Sequence, residues 1–122
     1  MPTTSVPRVV SEKMPIEHYS WGNNCEAWTL VDNEQLSVKK ERMPAGTEEV
    51  LHYHKQSNQF FYILIGRAVF EVDEVVLIVH AGEGLLIEAG KEHRIMNKEE
   101  DEDLEFLVTS QPDTKNDRYN LV

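Results

Sequence analysis

No stretch of this chain sustains an apolar period of 3.6 residues over three turns, and this constrains its fold more than any other feature. The apolar residues fall instead into short β-prone runs: Val50 to Tyr53, Gln59 to Ile65, Ala68 to Val72, Val75 to Val79, Gly84 to Ile87, His93 to Met96 and Leu104 to Thr109. Upstream, Ala27 to Val31 and Leu36 to Val38 flank the turn-like Asp32-Asn33-Glu34 and read as a hairpin. Met43-Pro44-Ala45-Gly46 breaks the pattern between the two groups, and Gly66, Gly82, Gly84 and Gly90 punctuate the second. Short strands at this spacing predict an all-β domain, either a sandwich or a barrel. Asp73-Glu74 stands where a two-residue hairpin turn is required, although it lacks the usual glycine.

At 122 residues the chain has room for one domain. Residues 1–25 begin with three prolines (Pro2, Pro7, Pro15) and read as an extended N-terminal arm able to contribute to a dimer interface; 26–112 form the β domain and 113–122 a polar tail. The run Gln59 to Ile65 carries more apolar residues than one buried face needs. With a period of two, Gln59, Phe61, Ile63 and Ile65 face one way and Phe60, Tyr62 and Leu64 the other. A domain this small with no helix has little with which to cover the second face. We therefore expect a homodimer burying Phe60, Tyr62 and Leu64, or a strand from the partner's arm laid over them.

The 22 acidic side chains against 12 basic ones give a formal charge of −10, which repels phosphate backbones and anionic lipid and argues against a nucleic-acid partner. The longest apolar run, Phe60 to Ile65, is far short of the roughly 20 residues that span a bilayer, so no membrane segment is expected. Cys25 has no second cysteine to pair with, and no cationic start followed by a long apolar stretch opens the chain; a reducing, cytoplasmic location is the expectation.

His52-Tyr53-His54 places two imidazoles on one face of a strand with Cα atoms about 6.6 Å apart, close enough for both rings to meet one metal ion. The surrounding intervals carry more information. Gly46 is followed after five residues by His52, then by His54, by Gln59 after four more and by Gly66 after another six; this resembles the first sequence motif of the cupin superfamily. A second segment, Gly82, Glu88, Gly90, His93 and Asn97, resembles the second cupin motif. The resemblance implies a small single-domain, RmlC-like jelly-roll barrel, a double-stranded β-helix, with His52, His54, Gln59 and His93 converging as metal ligands.

Two positions depart from the family pattern: Gln59 stands where Glu is usual, and Glu88 where proline is usual. Three imidazoles and an amide leave a divalent ion its full charge, which favours Lewis-acid chemistry on an anionic oxygen. Imidazole suits zinc, copper, iron and nickel alike, and the resemblance adds manganese, so the ion is expected to be zinc, nickel, iron or manganese without a choice among them. The resemblance implies a small-molecule ligand and an activity on an oxygen-rich molecule, as a dioxygenase or isomerase, with a non-catalytic sugar- or carboxylate-binding module as the alternative. Phe61 and Ile63, sharing the parity of Gln59, and Ile95, sharing that of His93, are expected to line the pocket. Of Lys39/Glu41 and Lys40/Arg42, one pair points into the barrel; parity alone does not say which.

Overall fold

The computed structural model describes residues 6–121; residues 1–5 of the expected arm, Pro2 among them, and Val122 of the expected tail lie outside it. Among the described residues the chain forms eleven strands and no helix: β1 (Glu17–Trp21), β2 (Cys25–Asp32), β3 (Ser37–Met43), β4 (His52–Tyr53), β5 (Asn58–Ile65), β6 (Arg67–Val72), β7 (Val75–His80), β8 (Gly84–Ile87), β9 (His93–Met96), β10 (Leu104–Gln111) and β11 (Tyr119–Asn120). Among these residues, therefore, no helix is long and apolar enough to cross a membrane.

Two antiparallel sheets face each other, one in the order β1-β2-β3-β10-β5-β8 and the other β11-β4-β9-β6-β7. β10 returns late in the chain to fill the gap between β3 and β5, and β9 does the same between β4 and β6. The result is the expected jelly roll. Alternation specifies which side of each strand goes inward. On β5, Gln59, Phe61 and Ile63 are buried while Phe60, Tyr62 and Leu64 are exposed; on β10, Leu104, Phe106, Val108 and Ser110 are buried. The inward residues meet Met43, Phe70 and Ile95 in one core, where each buried aromatic contributes about 1.5–3 kcal/mol.

The glycine-free turn at Asp73-Glu74 does close the β6–β7 hairpin. Both residues take positive φ, 47° and 71°, the geometry a twisted two-residue hairpin demands. Asp73 is held there by Glu92: its amide donates to the Glu92 carbonyl (2.8 Å) and its carboxylate accepts from the Glu92 amide (2.9 Å). Gly66, at φ 91°, is required for a different reason, since a Cβ would lie 2.7 Å from the Asp103 carbonyl oxygen.

Within the stretch read as an arm, residues 17–21 are strand β1, paired along its length with β2. Ahead of it Glu12 reaches Lys40 at 2.9 Å, and His18 stacks on Trp28 with ring centroids 5.1 Å apart. These contacts cover the outer face at β2 and β3. Phe60, Tyr62 and Leu64 on β5 remain 42%, 38% and 37% exposed beside Leu86 of β8, so the arm of the same chain does not cover them among the described residues.

Candidate metal centre

β4 is only two residues long, and neighbours on both sides hold it in place. His52 pairs directly with His93 of β9, and β11 from the tail pairs with β4 on the other edge. The Gly90 amide donates to the His54 carbonyl at 2.7 Å, joining the turn before β9 to the residue after β4. This pairing brings together the rings of His52, His54 and His93, all buried. One ring nitrogen from each lies within 4.8 Å of the others, and the ring centroids are 4.4–5.6 Å apart.

Each ring is oriented through Nδ1, which donates to a backbone carbonyl: His52 to Val50 (2.7 Å), His54 to Asp117 (2.6 Å) and His93 to Lys91 (2.9 Å). A neutral imidazole carries one N–H, so this pattern puts the lone pair on Nε2 of every ring. Burial drives the pKa of His52 and of His93 down to about 4, which keeps both rings neutral at neutral pH.

Gln59 completes the group. Its amide nitrogen donates to Ser110 Oγ at 3.1 Å, and its Oε1 lies 3.2 Å from His93 Nε2. With Nδ1 as the donor on His93, these two atoms are both acceptors and have no hydrogen to share. Among the described residues the buried Nε2 of His54 has no hydrogen-bond partner. Converging lone pairs, one orphaned and two opposed, are what a cation relieves, so the donor set fits a divalent metal.

Beside the histidines lies a cavity of about 340 Å³, within the range for small-molecule sites. Its walls include His54, Gln59, Phe61, Lys39, Glu41 and Arg118. Lys39 and Glu41 are thus the inward pair. Lys40 and Arg42 point outward into ion pairs with Glu12, Glu105, Glu26 and Asp103. Phe61 is among the residues that line the cavity. Ile63 and Ile95 are not among its lining residues: both are fully buried in the core, where Ile63 stands opposite Phe106 and Ile95 opposite Phe70. Glu88 is exposed, and His80 pairs with Glu83 on the surface. Asn97 is buried and structural, its side-chain amide donating to the Met43 and Glu102 carbonyls at 2.9 and 2.8 Å.

Burial pushes the Glu41 carboxyl up to about 8, so it is largely protonated at neutral pH. Glu49 is pushed up by burial as well, with Arg118, 3.5 Å away, opposing the rise.

Asp117 and Arg118 carry no sequence signal, because their roles depend on the tail closing over β4. The Asp117 carboxylate accepts from the amides of Lys55, Gln56 and Ser57 at 2.7, 3.0 and 3.0 Å. Burial opposes ionisation there, but these three bonds outweigh it and hold the carboxyl below its usual range. Tyr19 and Trp21, by contrast, share one parity of β1, which a period-two reading of residues 17–21 detects. Asp117→Ala leaves three amides without an acceptor; we expect a loss of about 2–4 kcal/mol in stability and metal affinity lowered roughly tenfold. Thermal melts and a metal titration check this, and a variant unchanged in both would contradict the tail's role.

Comparisons with known proteins bear on the whole arrangement. The family model described as Cupin domain matches residues 39–110. An oxalate-binding protein from Thermotoga maritima is 33% identical over 76 residues, an alignment spanning 62% of this chain and 62% of that protein. Among solved structures, an RmlC-like cupin from Shewanella frigidimarina superposes with a TM-score of 0.79 at 19% identity, covering 91% of this chain and 96% of that one. A predicted oxalate decarboxylase from Thermotoga maritima gives 0.74 at 25% identity, covering 86% and 99%.

Proposed function

The chain belongs to the cupin family, and on that premise we propose that it is a metal-dependent cupin holding a small oxygen-rich acid on a divalent ion bound by His52, His54, His93 and Gln59. The observation that carries this reading is the set of three rings whose Nδ1 atoms are all committed to backbone carbonyls, leaving unshared Nε2 lone pairs beside a cavity. A bound divalent ion supplies Lewis acidity toward an oxygen of the ligand. The protein's own contribution is to hold the donors neutral, to exclude bulk water with Phe61, Phe106 and Val108, and to keep a proton on the Glu41 carboxyl at the cavity wall.

Of the two reactions that the sequence resemblance implies, isomerase-type proton transfer is the better supported, since Glu41 can hold and release a proton near neutral pH. Oxygen insertion depends on a redox-capable ion, and the ligand types and the family resemblance together leave zinc, nickel, iron and manganese open. Capture of the acid without turnover is the second reading, favoured by the oxalate-binding protein of Thermotoga maritima. Protein purified without a chelating tag should carry close to one divalent ion per chain by elemental analysis. Oxalate should bind to that protein and not to chelator-stripped protein; equal binding with and without the ion would overturn the metal-centred reading.

A second copy of this chain is the proposed occupant of the exposed Phe60/Tyr62/Leu64/Leu86 face, because a contiguous apolar patch beside the free edge of β8 is seldom left open in a monomer. Sedimentation at micromolar concentration should give a dimer for the wild type and a monomer for Tyr62→Glu. A monomeric wild type would remove the idea. A reducing, cytoplasmic setting suits the fully buried free thiol of Cys25.

A further inference from the structure

The wall of the cavity contributed by β1 and β3 carries polar groups that neither the fold nor the histidine cluster uses. Lys39 lies half-buried on β3, and its ammonium donates to the Tyr19 hydroxyl at 2.7 Å. Among the described residues it makes no ion pair, unlike its neighbours Lys40 and Arg42. A tyrosine hydroxyl that accepts this bond still has its own hydrogen to donate. On the same wall, Trp21 Nε1 is buried near the Glu41 carboxyl, and among the described residues it makes no well-aligned hydrogen bond with that carboxyl or with any other group. The wall therefore presents an unmatched cation and two spare donors, an arrangement that lacks only an anionic acceptor.

This wall is set apart from the metal candidates. β3 is separated from β5 by β10, two strand spacings or about 10 Å, and His52 and His93 belong to the opposite sheet. The other charges facing the cavity are largely matched: Arg118 lies 3.5 Å from Glu49, and Glu48 lies 3.6 Å from Arg94. Burial keeps Glu41 largely protonated and so removes the negative charge that would neutralise Lys39.

We propose that Lys39, Tyr19 and Trp21 form a second anion subsite facing the histidine cluster, so that the ligand is a small diacid with one carboxylate at the metal and the other at Lys39. The inference rests on the metal-centred reading for its first end and on the β1–β3 wall for its second. A two-carbon diacid that meets the ion with both ends would leave Lys39 unmatched; a longer chain reaches it.

The test is calorimetry on the full chain loaded with zinc, using succinate and glutarate as diacids and butyrate as the one-ended control. Wild type should bind the better diacid at least about tenfold more tightly than butyrate, the scale of one charge-assisted contact. Lys39→Gln should abolish that preference without changing the zinc content, and Lys39→Arg should retain most of it. A wild type with no diacid preference, or a Lys39→Gln protein that keeps it, would overturn the proposal. Failure of the metal-centred reading shows up separately, as absence of bound zinc before any acid is added. In zinc-free protein the effect of Lys39→Gln on succinate binding still reads the second subsite by itself.

Discussion

His93→Ala is expected to abolish stoichiometric metal binding. His93 is the member of the cluster that comes from the second motif, and it stands directly across the ladder from His52 with its Nε2 facing Gln59 Oε1. Removing the ring leaves two imidazoles and one amide for an ion that favours four donors. The loss should exceed the roughly 10–100-fold that removal of an outer partner of a metal ligand costs. The ring is also fully buried, so the variant gives up some packing and leaves the Lys91 carbonyl without its donor, at about 1–3 kcal/mol. His80→Ala serves as the control, since His80 is exposed and paired with Glu83 away from the cluster. Elemental analysis of both variants after identical loading separates the cases. Equal metal in His93→Ala and wild type would exclude the proposed ligand set.

Glu41→Gln is expected to stabilise the metal-free protein, and by more as the pH rises. Below about pH 4.5 the carboxyl is protonated in both the folded and the unfolded chain, and folding carries no penalty from it. Between that value and the folded-state value of about 8, the unfolded chain ionises while the folded one does not, so the wild type loses stability with increasing pH. Full conversion of this rise gives on the order of 5 kcal/mol; Glu41 lines an open cavity, and with solvent screening we expect about 2 kcal/mol by pH 8. Glutamine has the same shape and no ionisation, so its advantage should be near zero at pH 4.5 and should level off above pH 8. Denaturant melts across that range check the slope. An advantage that does not change with pH would mean that the Glu41 carboxyl is not held protonated by burial.

The legible part of the site was the part with fixed intervals. His52 and His54 lie two apart on one strand, and only period-two alternation is needed to put them on one face. The parity of β5 likewise separated Gln59 and Phe61 from the apolar face now seen exposed at Phe60, Tyr62 and Leu64. Parity does not report position along the barrel, however, and Ile63 and Ile95 share the right face while packing in the core away from the cavity lining. Nor did local pattern choose between Lys39/Glu41 and Lys40/Arg42. Strand β3 is polar on both sides, so its inward face depends on the register that β2 and β10 impose.

The order of short strands, the glycine turns and the spacing of the histidines were properties of neighbouring residues, and these determined an all-β chain with a candidate metal centre. Tertiary structure alone decided which polar residues share the cavity: Tyr19 from β1, Lys39 and Glu41 from β3, and Arg118 from the tail meet across 20 to nearly 100 positions of sequence. The physical reason is that a strand's preference for one face is local, whereas closing two sheets over a common space is a property of the whole chain. Asp117 makes the point most sharply, since its carboxylate meets its three amide partners only after the tail has folded back onto β4.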